Sequence, residues 1–245
     1  MSGFNVLDKL TNEELEVIVK LIVEKGWQTE SLSKDKDYKK YYPDHKKYVD
    51  KIKNELSLMG GDTLANVARF LMGKGSSISY REMLKDVCKK LGIEYEESTL
   101  DGELEYDLLA TVLKKAFDKL SEVEQNIILD ILRDNSNEIT ANNLFYKIFA
   151  DDRKEKYLLA VFVSNTLAKS ICGKDLSLLK DIEIINELKV LTAPLGSILM
   201  NVDKTYDITG PAYRITLPAI VYIAAMKQIK KNDENKRKNI LSNFF

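Results

Sequence analysis

The sequence predicts an all-α fold, a bundle of roughly 8–10 helices. Three observations lead to this prediction. No proline occurs between Pro43 and Pro194, so a long stretch of chain lacks the residue that most strongly breaks helices. Within that stretch, apolar residues recur at helical spacing. Ser or Thr followed three residues later by Glu, a pattern that caps helix N-termini, recurs along the chain.

The first part of the chain is divided by polar and glycine-containing segments. Thr11 and Glu14 form a capping box ahead of an apolar helical repeat. The segment over residues 28–42 is rich in Lys and Tyr and has no helical periodicity, so its composition favours a mobile linker. Pro43 suits the first turn of a second helix, and the glycine pair at residues 60–61 ends that helix.

Helix signals continue through the middle of the chain. Ser79 and Glu82 cap one helix, and Ser121 and Glu124 cap another. A longer helix is predicted between them, over about residues 100–120. The inner faces follow from apolar residues at helical spacing: Met83, Leu84, Val87, Cys88 and Leu91; Leu104, Leu108, Val112, Leu113, Ala116 and Phe117; Ile127, Ile128, Ile131 and Leu132; Leu144, Phe145, Ile148 and Phe149.

The pattern becomes less regular after the next helix. That helix is predicted over about residues 152–172 and ends at Gly173. Residues 190–210 contain Pro194, Gly196 and several turn-forming residues. This irregular segment is therefore predicted to be either a connection or a short hairpin.

An apolar run followed by lysines is the most unusual segment. Pro211 can begin a helix, and Pro218 removes one backbone hydrogen bond and kinks or restarts that helix. Residues 217–226 are nearly all apolar, a run too short to span a bilayer. Two interpretations remain open: a central core helix with a solvated basic end, which is preferred, or a segment that rests on an anionic membrane surface.

These signals divide the chain into four parts. Residues 1–35 form a short N-terminal helical module and residues 36–42 a polar linker. Residues 43–232 form the main helical domain. Residues 233–245 form a polar and aromatic tail, which is either disordered or a docking peptide.

The composition argues against several classes of function. Lys and Arg number 37 against 38 Asp and Glu, a formal net charge of −1, so the chain lacks the basic excess typical of nucleic-acid-binding domains. His45 is the single histidine, which argues against histidine-rich metal sites. Cys88 and Cys172 are expected to be buried thiols in a reducing compartment. The sequence shows no signal peptide and no long apolar run, so a cytoplasmic location is expected.

No segment predicts an active site. The GKGSS segment at residues 73–77 matches a phosphate-binding loop only in part, because Lys74 is followed by Gly75 and a helix precedes it. The acidic stretch over residues 94–107 crosses the start of a helix, where negative charge complements the helix dipole. A solvated acidic run is therefore favoured, and a metal site or an acid–base site is the less favoured interpretation. We therefore predict no catalytic residue, no metal site and no cofactor.

Three segments together resemble the YaaW-like family of bacterial proteins. They are residues 10–33, residues 59–91 with GGDTLANVARF and YREMLKDVCKKL, and residues 210–224, GPAYRITLPAIVYIA. In the last segment the Ala-Tyr-Arg core and Pro218 match best. The family is grouped with the ubiquinol–cytochrome c chaperone superfamily, so the resemblance implies a helical fold and suggests assembly or binding work. It transfers no catalytic residue.

The function expected from these observations is a non-enzymatic, chaperone-like interaction module. Its main partner would be another protein, with peripheral contact to an anionic membrane at the inner face as a further option, and its oligomeric state stays open. The expected contact surface comprises Asp62, Asn66, Arg69, Tyr213, Arg214, Lys227, Lys230 and Lys231. The alternative is an enzyme or a nucleotide or nucleic-acid effector of a bacterial stress or phage-defence system, using acidic residues and an arginine in a pocket between helices.

Overall fold

The computed structural model describes residues 3–25, 31–59, 78–132, 140–150, 154–179, 188–200 and 213–242. Ten α-helices and no strand lie within these ranges, which confirms the predicted all-α bundle. The helices are α1 (Asn12–Lys25), α2 (Lys36–Tyr41), α3 (Val49–Met59), α4 (Tyr80–Lys90), α5 (Asp101–Phe117), α6 (Glu122–Leu132), α7 (Leu144–Ala150), α8 (Lys154–Cys172), α9 (Thr192–Met200) and α10 (Tyr213–Ser242). Short 3-10 helices cover Gly3–Lys9, Leu32–Lys34, His45–Tyr48, Ser177–Leu179 and Leu188–Leu191.

Two long helices, α8 and α10, form the centre of the bundle. They pack against each other, and α1 contacts both of them. Helices α4 and α5 cover another side of α10, while α9 packs on α8 and on α5. Every residue of α10 from position 215 to position 229 is buried. A helix that is apolar on all sides is typical of a bundle core, so the preferred core interpretation of residues 217–226 is confirmed.

The three predicted capping boxes are present. At the start of α4, the Ser79 N–H donates to Glu82 Oε2 at 2.9 Å, and the Glu82 N–H donates to Ser79 Oγ at 3.3 Å. These bonds satisfy backbone donors that a helix leaves unpaired at its N-terminus. The same reciprocal bonds join Thr11 with Glu14 and Ser121 with Glu124.

The segment predicted to be a polar linker contains a helix. Helix α2 lies within residues 36–42, and the Asp35 carboxylate caps it by accepting a hydrogen bond from the Asp37 N–H at 2.7 Å. Next to this helix, the ring centroids of Tyr38 and Tyr48 lie 5.8 Å apart. Aromatic contacts explain the correction, because a composition argument counts these tyrosines as polar although their rings pack.

The irregular segment predicted near residues 190–210 is helical in its first half. A 3-10 turn leads into α9, and Pro194 is the third residue of that helix. Proline is tolerated there because the first N–H groups of a helix have no partner within it. The predicted connection or hairpin is therefore wrong for residues 192–200, and residues 201–212 lie outside the described part of the chain.

Helix α10 also extends past the predicted tail boundary. It runs through Pro218 without restarting and continues to Ser242, so the backbone of residues 233–242 belongs to a helix. Proline so close to the helix start removes only one backbone hydrogen bond. Among the described helices, none combines the length and the apolar character that crossing a membrane requires.

We expect Ser79→Ala to lower the free energy of unfolding by about 1 kcal/mol, because it removes the side-chain acceptor at the start of α4. Chemical denaturation followed by circular dichroism measures this change. Ser98→Ala is the matched control, since Ser98 lies exposed in a turn and donates only to Glu96 at 3.3 Å. Equal losses for the two variants would contradict the capping role.

Candidate functional site

The predicted contact surface divides into residues with different environments. Asp62, Asn66 and Arg69 lie outside the described residues, as does the GKGSS segment at residues 73–77. The other five lie on α10: Tyr213 and Lys227 are buried, Lys230 is half-buried, and Arg214 and Lys231 are exposed. The structure therefore does not bring the described members together as one exposed patch.

Lys227 belongs to a buried polar cluster that joins three helices. Its ammonium group donates a hydrogen bond to Glu105 Oε1, and the Tyr80 hydroxyl donates to the same oxygen at 2.9 Å. Lys227 Nζ also lies 5.0 Å from the centre of the Tyr80 ring. Glu105 is 1% exposed and Lys227 is 8% exposed. The cluster thus connects α4, α5 and α10 where water has little access.

Burial makes this cluster sensitive to the loss of either partner. Desolvation raises the pKa of the Glu105 carboxyl, and the Lys227 ammonium and the Tyr80 hydroxyl offset part of that rise. Desolvation also raises the pKa of the Tyr80 hydroxyl well above its usual value, so the phenol stays protonated and donates. A charge left alone in this position would cost several kcal/mol.

Lys230 forms a second ion pair, which joins α10 to α1. Its ammonium group donates to Glu14 Oε1 at 2.7 Å, while the other carboxylate oxygen of Glu14 completes the α1 capping box with Thr11. About two helix turns before Lys230, the Tyr222 hydroxyl donates to the Glu14 carbonyl oxygen at 2.9 Å. Glu14 therefore holds the start of α1 against the middle of α10.

These contacts correct two expectations about charge. The basic end of the apolar run is not fully solvated, because Lys227 and Lys230 pair with buried carboxylates, whereas Lys231 is exposed. The acidic stretch is not fully solvated either, because it includes Glu105. A sequence signal for Glu105 existed: the residues three, four and seven positions later are apolar, which places Glu105 on the inner face of its helix.

A second buried network contains the single histidine. His45 Nε2 donates to Glu16 Oε2, the Tyr42 hydroxyl donates to the other oxygen of Glu16 at 3.1 Å, and the Tyr48 hydroxyl contacts His45 Nδ1. Burial lowers the pKa of the His45 imidazole, and Glu16 opposes that shift. The network joins α1 to the segment that precedes α3.

Both cysteines are free thiols. Both were predicted to be buried. Cys88 is buried, as predicted, whereas Cys172 is only half-buried. Burial raises the pKa of the Cys88 thiol to about 12 and that of Cys172 to about 11, so neither favours the reactive thiolate near neutral pH. In the described part of the chain, no three His, Cys, Asp or Glu side chains are grouped closely enough to hold a metal ion.

A polar groove of about 490 Å³ opens between the loop after α4, helix α5 and helix α7. Among the lining residues, the Thr111 and Tyr146 hydroxyls are 3.0 Å apart and share a hydrogen bond. Desolvation, with Glu103 nearby, raises the pKa of the Asp107 carboxyl. Charges of both signs line the groove: Glu94, Asp107, Lys114, Lys115 and Asp118.

Helix α6 presents an exposed apolar strip that the sequence pattern did not identify. Val123 is 71% exposed and Ile127, one turn later, is 44% exposed. Ile127 was predicted to face the core, whereas the core-facing side chains of α6 are Ile128, Leu129 and Leu132. The run of adjacent isoleucines at 127 and 128 allows either residue to fit a helical repeat, so periodicity alone did not separate them.

The losses of stability caused by removing the two members of the buried pair should not be additive. We expect Lys227→Met and Glu105→Leu each to lower the free energy of unfolding by about 3–5 kcal/mol, because each leaves a buried charge without its partner. The double variant should lose at least about 1 kcal/mol less than the sum of the two. Denaturant titration measures all three.

Lys231→Met is the matched control for these variants. Lys231 is exposed on the same helix, so its replacement should change the stability by no more than about 0.5 kcal/mol. Strictly additive losses in the double variant would show that the pair does not act as a unit.

The comparisons with known proteins identify the family of this chain. It is 32% identical over 216 residues to a UPF0174 protein of Helicobacter pylori strain J99, covering 86% of this chain and 83% of that protein. A second UPF0174 protein of that strain is 28% identical over 209 residues, 81% of this chain and 97% of the relative. The UPF0174 protein YaaW of Escherichia coli strain K12 is 27% identical over 189 residues, 76% of this chain and 73% of YaaW. No protein-family model and no solved structure matches the chain. The resemblance to YaaW-like proteins is thereby confirmed, and the chain belongs to the UPF0174 family.

Proposed function

We propose that this chain is a non-enzymatic helical module that binds other proteins through the outer face of α6. The observation that supports the proposal is the pair of exposed aliphatic side chains, Val123 and Ile127, on one face of a regular helix. Exposed apolar side chains placed together on a rigid element are a frequent feature of protein-binding sites. They give a partner apolar area to bury without a prior change in this chain.

The rest of the described structure suits a rigid scaffold. Two ion pairs join helices that are distant in sequence: Lys227 pairs with Glu105, and Lys230 pairs with Glu14. Such groups stabilise the arrangement of α1, α5 and α10. On α6, the side chains of Ile128, Leu129 and Leu132 are buried, whereas Val123 and Ile127 remain accessible to a partner.

An assembly or chaperone-like role in the bacterial cytoplasm is the form of this function that we favour. A peripheral role at an anionic membrane surface has less support, because Lys227 and Lys230 pair with carboxylates of the same chain. Arg214 and Lys231 remain exposed on α10, but two cations far apart on one helix give weak attraction to a lipid surface.

Site-specific photo-crosslinking tests the proposed binding face. A photo-crosslinking phenylalanine derivative at position 127 should yield adducts with defined proteins in a bacterium that produces the chain. Position 100 is the matched control, because Leu100 is 66% exposed but lies outside α6. With the probe at a neighbouring α6 position, Val123→Ser with Ile127→Ser should lower the adduct yield about tenfold or more, since lost apolar contacts weaken binding. Equal adducts at positions 100 and 127 would contradict the proposal.

The groove beside α5 supports a second candidate function, an enzyme or effector that binds a small charged ligand. Lys114 lies in this groove and pairs with Asp118 at 2.7 Å, an ion pair that an anionic ligand could exchange. A thermal-shift screen against nucleotides and divalent metals tests it, because a ligand at 100 times its Kd stabilises the fold by about 2.7 kcal/mol. The shift should disappear in Lys114→Gln, and the absence of any shift would contradict this function.

A further inference from the structure

The region around α2 carries an excess of positive charge that the chain as a whole does not show. Residues 34–53 contain eight lysines and four aspartates, a formal net charge of +4, whereas the net charge of the chain is −1. The balanced total therefore conceals one basic stretch, and it does not argue against an anionic partner at this place.

Helix α2 presents three of these lysines on one face. Lys36, Lys39 and Lys40 lie at positions i, i+3 and i+4, which are neighbours on the surface of an α-helix. All three side chains are exposed. On another side of the helix, Tyr38 is half-buried, and its ring packs against the ring of Tyr48. The lysines of α2 therefore point away from the core.

The neighbouring 3-10 helix, His45–Tyr48, presents two more lysines. Its first and last residues are buried, and residues three apart share one side of a 3-10 helix. The two residues between them, Lys46 and Lys47, are exposed. We call the five lysines on these two elements, together with the tyrosine that lies between them, the basic surface: Lys36, Lys39, Lys40, Tyr42, Lys46 and Lys47.

Nearby carboxylates do not neutralise this surface. Asp35 pairs with Lys51 at 3.2 Å, and Asp50 pairs with Lys53 at 3.1 Å; both of these lysines lie outside the basic surface. Lys40 lies 4.8 Å from the centre of the Tyr41 ring, a contact that keeps its positive charge. In the part of the chain that the structure describes, no ion pair engages the ammonium groups of the other members: Lys36, Lys39, Lys46 and Lys47.

Tyr42 follows α2 directly, and its ring has a fixed position. The hydroxyl donates to Glu16 Oε1 at 3.1 Å. The ring packs against Tyr38 and His45, with centroid distances of 5.4 and 5.5 Å. The side chain is nevertheless 48% exposed. A ring that is held in place and partly exposed can stack on a planar group with little further loss of side-chain entropy.

We propose that the basic surface binds single-stranded nucleic acid, with its lysines on the phosphates and Tyr42 stacked on a base. The inference goes beyond the proposed protein-binding function and does not depend on α6. Positive charge that follows the backbone, combined with an aromatic ring for the bases, is the usual way in which proteins hold single strands without reading their sequence. A flexible strand reaches lysines on two neighbouring helices without a preformed groove.

Other anionic partners fit this surface less well. A duplex keeps its bases stacked on one another, so Tyr42 would have no free base to contact. Helices that lie on a membrane insert an apolar face into the lipid boundary. Among residues 34–51 the exposed side chains are lysines, apart from Tyr42, Pro43 and Asp50. This stretch therefore offers no exposed aliphatic side chain to insert.

Fluorescence anisotropy with the full chain and a labelled single strand of about 20 thymidines or uridines tests the inference. We expect binding at about 50 mM salt that weakens as salt is added, with a slope of about −3 in a double-logarithmic plot for about four phosphate contacts. Lys39→Gln with Lys47→Gln should weaken binding at about 50 mM salt at least about tenfold, and should make the slope shallower by about 1.4.

Two substitutions at position 42 isolate the stacking contact. Both Tyr42→Leu and Tyr42→Phe remove the hydrogen bond to Glu16, but only Tyr42→Leu removes the ring. We expect Tyr42→Leu to bind at least about fivefold more weakly than Tyr42→Phe, because one base loses its stacking partner. If the substitutions at position 42 unfold the chain, the variant at Lys39 and Lys47 still tests the inference, since both side chains are exposed.

Lys89→Gln with Lys231→Gln is the control for charge. Both lysines are exposed and lie outside the basic surface, so this variant has the same net charge as the variant at Lys39 and Lys47. Its binding should stay within about twofold of wild type, because exposed charges far from the strand are screened by salt. All variants should melt within a few degrees of wild type.

Four results would overturn the inference. The first is no binding of either strand at about 50 mM salt. The second is an equal loss of binding in the two double-lysine variants. The third is tighter binding of a duplex of the same length than of the single strand. The fourth is a preference of the same lysines for vesicles that contain phosphatidylglycerol, or for polyglutamate, over the strand.

Discussion

The arrangement of the helices depends on ion pairs between charged side chains that are buried in the core. Glu105 and Lys227 come from helices far apart in sequence, yet neither is stable in the core without the other. Their bond, with the hydrogen bond from the Tyr80 hydroxyl, admits few rotations or translations of α10 relative to α4 and α5. The close packing of apolar side chains around α10 restricts its position as well. Polar pairing therefore adds a specific constraint on the register of α10 to the constraint from apolar packing.

The buried ion pairs also determine which charges are accessible at the surface of the molecule. The lysines that follow the apolar run of α10 are largely engaged with Glu14 and Glu105, which removes them from the set of free surface charges. In the described part of the chain, the exposed features include the aliphatic side chains of Val123 and Ile127 on α6 and the mixed-charge groove beside α5. The buried side chains of α6 are Ile128, Leu129 and Leu132. Its other side is available for contacts with another molecule.

The sequence was sufficient for the fold class and for most helix starts, because both follow from local rules. Capping boxes at Ser79 and Ser121 use residues three positions apart, and helical periodicity needs only the chain nearby. The environments of Lys227 and Glu105 depend on residues more than 100 positions away. A charged residue next to an apolar run can therefore be solvated or buried in an ion pair, and one sequence does not distinguish the two environments. The helix within residues 36–42 escaped prediction for a related reason, since its stability depends on contacts of Tyr38 and Tyr42 with residues outside it.

The bond between the Tyr222 hydroxyl and the Glu14 carbonyl oxygen spans 208 positions of the chain, and it sets an order of events during synthesis. Helix α1 leaves the ribosome early, but its partner α10 follows about 10–40 s later at ordinary rates of translation. Until then the apolar side of α1 and the carboxylate of Glu14 lack their native surroundings. Folding must therefore be completed late and mostly after α10 is made, unlike in a bundle whose neighbouring helices pair as they emerge. During that interval the unfinished chain exposes the surfaces that attract chaperones and other nascent chains.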